Sequence, residues 1–429
     1  MASPPLTVAV VGAGAAGLAA ARALRMESHR VVVYEKSGHI GGTWVYDPRV
    51  ESDPIGLDPD RETVHSSLYR SLRTNLPRQL MGFSDYPFPR GGNGDPRTFP
   101  GHEEVLRFLT GFAAHFGLSE SIRLETEVVR VEQNKDNDGW VVESRRNGSN
   151  SNPSVEEVFD AVVICNGHHT RPRSASFPGM EKWPGKQIHS HNYRVPDPFQ
   201  DQIVVIIGDG ASAVDIALEI SKVAKQVHLS SRNISKLNVV QVQVQDNIWQ
   251  HSEIDYVDGN GQVFFQDKSC IPAADTILHC TGYKYHFPFL KTTDIITVDD
   301  NRVGPLYKHV FPPRLAPNLS FVGLTYWSPI FLMIDLQAKW VARVLSGKAS
   351  LPPDEIMVAD VEEHYRNMDI KGIPKRHTHC LYHQFEYLDW LATQVGLSGV
   401  DAQVRSTYEN YYKFVVEKGE WPKREWEPN

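Results

Sequence analysis

Two short runs carry residue types and spacings that could do chemistry. The first, "VAVVGAGAAGLAAARAL" (residues 8–24), is an apolar strand that breaks at Gly12-Ala13-Gly14-Ala15-Ala16-Gly17 and resumes as an alanine-rich helix. A pyrophosphate needs such a turn. The first glycine allows the sharp bend, the second lets backbone approach the phosphates, and the third lets helix pack on strand. The helix N-terminus then presents unpaired N–H groups to the anion. The next strand, "RVVVYEK", ends in Glu35, about 20 residues beyond the turn, where a carboxylate accepts ribose hydroxyls and repels a 2′-phosphate. The second run, "VVIIGDGASAVDIALEI" (residues 204–220), repeats the logic with Gly208-Asp209-Gly210-Ala211-Ser212-Ala213. Alanine in sixth place is permitted when helix and strand sit slightly farther apart, and Ser212 is expected to donate to a phosphate at the helix start. The strand after it, "KQVHLSSR", ends in Ser230-Ser231-Arg232 rather than an acid. Arg232 is expected at the place of Glu35, where a guanidinium pairs with a 2′-phosphate and the Ser231 hydroxyl assists. The spacing therefore predicts a nucleotide site at the first turn and an NADP site at the second.

Other chemistries fail on spacing. Ser212 is no nucleophile elbow, because Val214 stands where G-x-S-x-G needs glycine. His377, His379, Cys380 and His383 form a fair ligand set, but no second cluster closes the coordination, so no metal is expected. Cys165, Cys270, Cys280 and Cys380 contain no C-x-x-C pair, which argues against a zinc ribbon or a dithiol redox centre. No paired carboxylates or Ser/His/Asp set is visible.

The elements that must position these turns follow from pattern. A chain of 429 residues exceeds one ordinary core. Its composition, 41% hydrophobic and 22% charged, is that of a globular protein. With 44 basic against 52 acidic residues and no basic run, neither nucleic acid nor an anionic membrane is the expected partner. The longest apolar stretch, "FVGLTYWSPIFLMI", has 14 residues and a proline, short of the about 20 that span a bilayer. The N-terminus enters a strand without a signal-peptide pattern and the C-terminus "KGEWPKREWEPN" is polar, so no membrane anchor and a cytoplasmic location are expected. Alternating segments around Asp138-Gly139 and an Asn/Ser/Gly loop at 147–152 read as a β-meander. "AVVICNG" is a strand returning to the first sheet, and Asn166-Gly167 marks the crossover. "AADTILHCTGY" returns from the second unit and "NLSFVGL" re-enters the first. Residues 45–67, rich in Pro and Asp, read as a long loop over the cofactor, and the chain beyond 353 reads as helical. The expected fold class is α/β with two Rossmann-like dinucleotide-binding domains: residues 1–168 and 318–429 form the first, and 169–317 are inserted as the second.

Gly41 and Gly42 in "EKSGHIGGTW" resemble the second glycine pair of flavoproteins with two dinucleotide domains, which implies FAD in the first site. "WPGKQIHSHNY" (183–193) resembles the FxGxxxHxxx(Y/F) signature of flavin-containing monooxygenases, with Gly185, His189 and Tyr193 in register and Trp183 in place of phenylalanine. "CTGY" at 280–283 resembles that family's ATG(Y/F), and "LRTNLPRQLMGFSDYPFP" is similar to the segment carrying its active-site asparagine, here Asn75. Baeyer–Villiger enzymes place Trp then Pro or Asp after the signature, where this chain has Tyr193-Arg194. The wording of "SLYRSLRTNLPRQLMGFSDYPF" is most similar to the plant S-oxygenating branch, which includes glucosinolate and alliin-pathway enzymes.

The resemblance implies an FAD- and NADPH-dependent monooxygenase that takes O2 and oxygenates a soft heteroatom through a C4a-hydroperoxyflavin. Its substrate would be a small thioether, or alternatively an amine that is N-hydroxylated. It implies Asn75 as the catalytic residue and extends the FAD contacts to Lys36, Gly42, Thr43, Trp44, Thr74, Asn75, Val128 and Gln337. Trp327 and Phe331 would line the substrate pocket, and His189 and Tyr193 would shape the linker near NADP. A pyridine-nucleotide–disulfide reductase shares the plan but needs the redox cysteine pair this chain lacks.

Overall fold

The computed structural model describes residues 4–89, 94–134, 139–146, 153–232, 242–418 and 425–428, with side chains omitted for 242–245. The chain divides into two compact units. One comprises Met1–Val45, Leu76–His168 and Tyr285–Asn410; the other comprises Tyr46–Asn75, His169–Lys284 and Tyr411–Asn429.

The first unit is built on a five-stranded parallel sheet ordered Leu319–Phe321, Ala161–Ile164, Thr7–Val11, Arg30–Tyr34, Ile122–Arg123. Its inner strands are apolar on both faces because both are covered. On one face lie the helices Ala15–Met26, His102–His115 and Ile330–Leu345, sharing a core that includes Val8, Leu18, Val33, Phe112 and Trp340. On the other lies a sheet of Leu290–Lys291, Thr126–Gln133, Trp140–Arg146 and Val155–Phe159, whose Val131, Trp140 and Val142 pack with Ala9, Tyr34 and Val162. The three longer strands of that sheet pair antiparallel, as a meander does. Asp138 of its expected first turn and the expected loop at 147–152 lie outside the described residues. Beyond residue 353 the helices Asp354–Ile370, Gln384–Gln394 and Ala402–Lys418 follow.

The second unit holds a six-stranded sheet ordered Val242–Gln245, Ile248–His251, Gln226–Ser230, Ile203–Ile207, Thr276–His279, Lys186–His189. All neighbours are parallel except the first pair. The helix Ala211–Ile220 packs on it through Ala213, Ile216, Ala217 and Ile220, against Val204, Ile206, Val227 and Leu229.

The units divide elsewhere than the expected boundaries. The insertion expected over 169–317 closes at Lys284, because the chain from Tyr285 already packs with the first unit. There Tyr285 Oη donates to Leu324 O at 2.5 Å, Phe287 meets Phe321 edge-on, and Leu290–Lys291 pairs with Val131–Glu132. Residues 46–75 and 411–429, both expected in the first domain, cluster with the second unit. The excursion after residue 45 is irregular as expected. A buried charge set ties it to the signature segment: the Glu51 carboxylate takes Arg61 Nε at 2.5 Å and His191 Nε2 at 3.0 Å, and Glu51 N donates to Asn192 Oδ1 at 2.8 Å. Arg194 adds bonds to the carbonyls of Asp47, Arg49 and Ser66. Among the described residues, no helix is long and apolar enough to cross a membrane.

Candidate functional site

The first turn sits at the carboxyl end of the central strand. Gly12 N donates to Tyr34 O at 2.8 Å, and the residue adopts φ +103°; a Cβ there would stand 2.6 Å from Cys165 O. Gly17 faces back on the turn, and a Cβ would stand 1.8 Å from Gly12 O, so only glycine lets this helix cross so close. Gly14 caps the helix without any side-chain bond, and no acid lies in its first turn, so the N–H groups of Ala15 and Ala16 begin an uncapped helix. Gly41 and Gly42 pass directly over it: Gly41 N donates to Ala13 O at 2.9 Å, and a Cβ on Gly42 would lie 2.9 Å from Gly14 Cα. The buried Glu35 carboxylate accepts from Ala13 N and Ser37 N, each at 2.8 Å. A carboxylate has about four acceptor sites, so about two remain for ribose hydroxyls. Two glycine walls, an uncapped helix and a half-satisfied acid fit a dinucleotide without a 2′-phosphate.

The remaining expected contacts of this site distribute as follows. Thr43 and Trp44 lie half-buried in the single turn Gly42–Trp44 that follows the glycine pair. Lys36 is exposed and pairs with Glu127 at 2.8 Å, next to the buried Val128. Gln337, 0% exposed, has both ends of its amide engaged: Oε1 accepts from Gly323 N at 3.0 Å, and Nε2 donates to Tyr387 Oη at 2.9 Å. It holds the left-handed Gly323 (φ +89°), whose Cβ would stand 3.2 Å from Ala16 Cβ. Phe331, expected in a pocket wall, is 1% exposed and packs on Phe83 and Phe108 as core. Trp327 is 56% exposed at φ +64° and meets Tyr382 edge-on at 5.8 Å.

Thr74 and Asn75 belong to the second unit. Thr74 is buried; Asn75 is exposed, its backbone carbonyl held by Tyr411 Oη at 2.7 Å.

The second turn repeats the skeleton. Gly208 (φ +122°) donates from N to Ser230 O at 2.9 Å, and a Cβ there would stand 2.5 Å from Cys280 O. Gly210 caps Ala211–Ile220 without a side-chain bond, and nothing lies within 4 Å of where its Cβ would be. Ser212 is exposed in the first turn of the helix and Ala213 is buried. Strand register corrects one expectation. Val11 stands opposite Tyr34 as Ile207 stands opposite Ser230, so Ser231, not Arg232, is the counterpart of Glu35. Arg232 is the counterpart of Lys36, one residue farther out and exposed. The acid has moved into the turn itself, where Asp209 Oδ2 accepts from Ser231 Oγ at 2.5 Å. A buried hydroxyl and an exposed guanidinium at the end of this strand fit a 2′-phosphate.

The signature residues are fixed internally. His189, 0% exposed, accepts from His191 N at Nδ1 (3.0 Å), which leaves the proton on Nε2 to donate to Gly282 O at 3.0 Å. Burial pushes its pKa down to about 3, so it stays neutral and both nitrogens are occupied. Tyr193 Oη donates to Glu219 at 2.8 Å and Tyr69 Oη to Asp215 at 3.1 Å, so two tyrosines grip the two acids of the dinucleotide helix. These bonds escaped sequence reasoning, though two acids four apart on the apolar helix "AVDIALEI" signal a need for partners. Trp183 folds over Gly185, where a Cβ would lie 2.3 Å from the indole. His377 and His379 turn to separate partners, Tyr382 Oη and Val303 N. Among the described residues, no group of three or more His, Cys, Asp or Glu side chains could hold a metal.

Comparison with known proteins adds the following. Residues 6–250 and 241–402 match the flavin-binding monooxygenase-like family. The chain is 55% identical over 396 residues to flavin-containing monooxygenase FMO GS-OX-like 2 of Arabidopsis thaliana, covering 90% of this chain and 84% of that protein. It is 51% identical over 418 residues to FMO GS-OX5 of the same plant, covering 96% and 90%. Among solved structures it is similar to S-allyl-L-cysteine S-oxygenase from Allium sativum, with TM-score 0.94 and 50% identity over 99% of this chain and 96% of that one.

Proposed function

The chain belongs to the flavin-binding monooxygenase-like family and is an FAD- and NADPH-dependent monooxygenase, and from that premise we propose that it oxygenates the thioether sulfur of a small metabolite to a sulfoxide. The observation that carries the reading is the 50% identity across 99% of the chain to an enzyme that S-oxygenates S-allyl-L-cysteine. N-hydroxylation of an amine is the second reading, because the oxidant is the same and only the pocket differs.

FAD binds the first turn and NADPH the second. When bound, FAD reduced by NADPH would activate O2, one oxygen atom of which goes to the sulfur lone pair while the other leaves as water. The protein's own residues bind and orient. The N–H groups at Ala15 and Ala16 face the FAD pyrophosphate, Glu35 holds its ribose, and Gly14 and Gly42 leave room for both passes of backbone. At the second turn the start of Ala211–Ile220 faces the NADPH pyrophosphate, with Ser212 donating, while Ser231 and Arg232 hold the 2′-phosphate. Asn75 would contribute a neutral amide donor that steadies the oxygen to be transferred or a bound water. Thr43, Trp44, Thr74 and Val128 complete the FAD contacts, Lys36 supports them through Glu127, and Gln337 supports them through Gly323.

The test is NADPH turnover against thioethers, S-alkyl cysteines and amines, with products identified by mass. Sulfoxide from thioethers is the expected outcome; oxygenated product from amines alone would overturn the S-oxygenase reading. Asn75→Ala is expected to leave flavin reduction by NADPH intact while oxygen is lost as hydrogen peroxide. An unchanged product yield would remove Asn75 from the mechanism.

A further inference from the structure

Behind the second turn lies a buried polar layer that neither the turn nor the proposed oxygenation uses directly. The strand Ile248–His251 runs beside Gln226–Ser230 with Ser230 opposite His251. Ser231 N donates to His251 O at 3.0 Å, and Ser230 Oγ donates to Ser252 O at 3.0 Å. The end of the strand that carries Ser231 and Arg232 therefore hangs on the backbone of residues 251 and 252.

That backbone is itself tied down. Ser252 N donates to Asp267 Oδ2 at 2.8 Å, and Asp267 N donates to Ser252 Oγ at 2.7 Å. Asp267 Oδ1 accepts from Ser269 N at 2.8 Å and from Ser269 Oγ. His251 Nδ1 lies 2.8 Å from Ser269 Oγ, and His251 Nε2 lies 2.9 Å from His228 Nδ1. The direction of the chain follows from proton count. The single Ser269 hydroxyl proton goes to the carboxylate, so Oγ must accept from His251 Nδ1–H. Neutral His251 then has a bare Nε2, which must accept from His228 Nδ1–H. Burial keeps both rings neutral, and they are wedged flat, His251 on Phe265 at 4.2 Å and His228 on Trp249 at 5.2 Å. One carboxylate thus sets two tautomers.

We infer that Asp267, Ser269, His251 and His228 are positioning residues for NADPH, a directed hydrogen-bond chain that fixes the backbone at 251–252 and through it the Ser231 hydroxyl and Arg232. The inference rests on the placement of NADPH at the second turn. Only NADPH carries the 2′-phosphate that these two side chains address. Loosening their support should therefore weaken NADPH far more than NADH.

The test is steady-state kinetics of FAD-loaded Asp267→Asn with both nucleotides. The amide puts a donor where the carboxylate accepted, which breaks the direction of the chain. The Michaelis constant for NADPH is expected to rise about tenfold. That for NADH, kcat at saturating NADPH, and FAD content should stay within about twofold. Ser269→Ala, which cuts the chain at its centre, should give the same split if Asp267→Asn does not fold, and Ser269→Thr, which keeps the hydroxyl, should restore normal values. Equal rises for NADPH and NADH, or no rise for either, would overturn the positioning role. Arg232→Ala separates the two possible failures. A normal Michaelis constant for NADPH there overturns the placement of NADPH and this inference with it. A raised constant there beside an unchanged one in Asp267→Asn overturns the chain alone.

Discussion

The two glycine turns share a skeleton and differ in almost everything attached to it. In each, the first glycine donates to the neighbouring strand, at 2.8 Å from Gly12 and 2.9 Å from Gly208, and presses on a cysteine carbonyl. From there they diverge. The first turn is closed by a second glycine wall at Gly41-Gly42, while Gly210 opens on space. In the first, the acid stands at the strand end and reaches back to Ala13 N; in the second, the acid stands in the turn and the strand end carries a hydroxyl. Their helices are held in opposite senses. Ala15–Met26 buries a cation, Arg22, which bonds Asp85 and Asp335. Ala211–Ile220 carries acids, which Tyr69 and Tyr193 bond from outside. The pyrophosphate chemistry common to all dinucleotides is built into backbone and repeats. The discrimination between nucleotides is built into side chains at the strand end, where one residue can change without disturbing the turn.

The comparison can be broken most forcefully at the third glycine. Gly17→Ala would drive a methyl to 1.8 Å from Gly12 O. It is expected to cost about 3 kcal/mol or more and to yield protein without bound flavin, read by absorbance and denaturant midpoint. At the equivalent place the second helix already carries Ala213, and Ala213→Gly should cost only about 1 kcal/mol and leave the flavin in place. Next in size, Gly208→Ala forces a side chain into φ +122° against Cys280 O. It should abolish flavin reduction by NADPH while the purified protein stays yellow; loss of colour would mean that the turns are not independent sites.

A more selective change exchanges the polar sets. Asp209→Ala with Ser231→Glu gives the second turn the acid position of the first. The NADPH to NADH preference is then expected to fall by about two orders of magnitude, because a carboxylate replaces the hydroxyl that faces the 2′-phosphate. An unchanged preference would place discrimination elsewhere. The smallest effect is that of pH. Burial pushes His228 down to about 3 and His251 down to about 4. In the unfolded chain these rings titrate near about 6.5, so between that pH and about 4 the unfolded state binds more protons. Their contribution is therefore complete above about 6.5 and lost as pH falls, on the order of 1 kcal/mol per ring by pH 5. Other histidines of the second unit, His189 and His279 among them, are depressed in the same sense. Denaturation midpoints should fall from pH 7 to 5, and His228→Gln should flatten that slope.

Much of this was legible along the chain because the relevant distances are short in sequence. Glycines at positions 12, 14, 17, 208 and 210 announce their turns through backbone freedom, and strands buried on both faces announce themselves as apolar runs. Register was legible too, though the expectation missed it by one residue. Arg232 was expected in the place of Glu35, but Ser231 stands as far beyond Gly208 as Glu35 stands beyond Gly12, and the parallel pairing Ile207–Ser230 gives that place to Ser231 as well. The 45–67 excursion read correctly as irregular, yet nothing local said that Glu51 would find His191.

The amino-acid sequence by itself determined the two nucleotide turns, the α/β class and the family, because these rest on backbone propensity and on residues a few positions apart. Only the tertiary structure decided that Gln337 spends its amide on Gly323 and Tyr387, and that His189 is a neutral, doubly bonded strut. It also decided that Asp267 sets the tautomers of His251 and His228. Those are contacts between segments far apart in the chain, and a buried polar group's partner is chosen by whichever distant donor or acceptor the fold brings within hydrogen-bond reach.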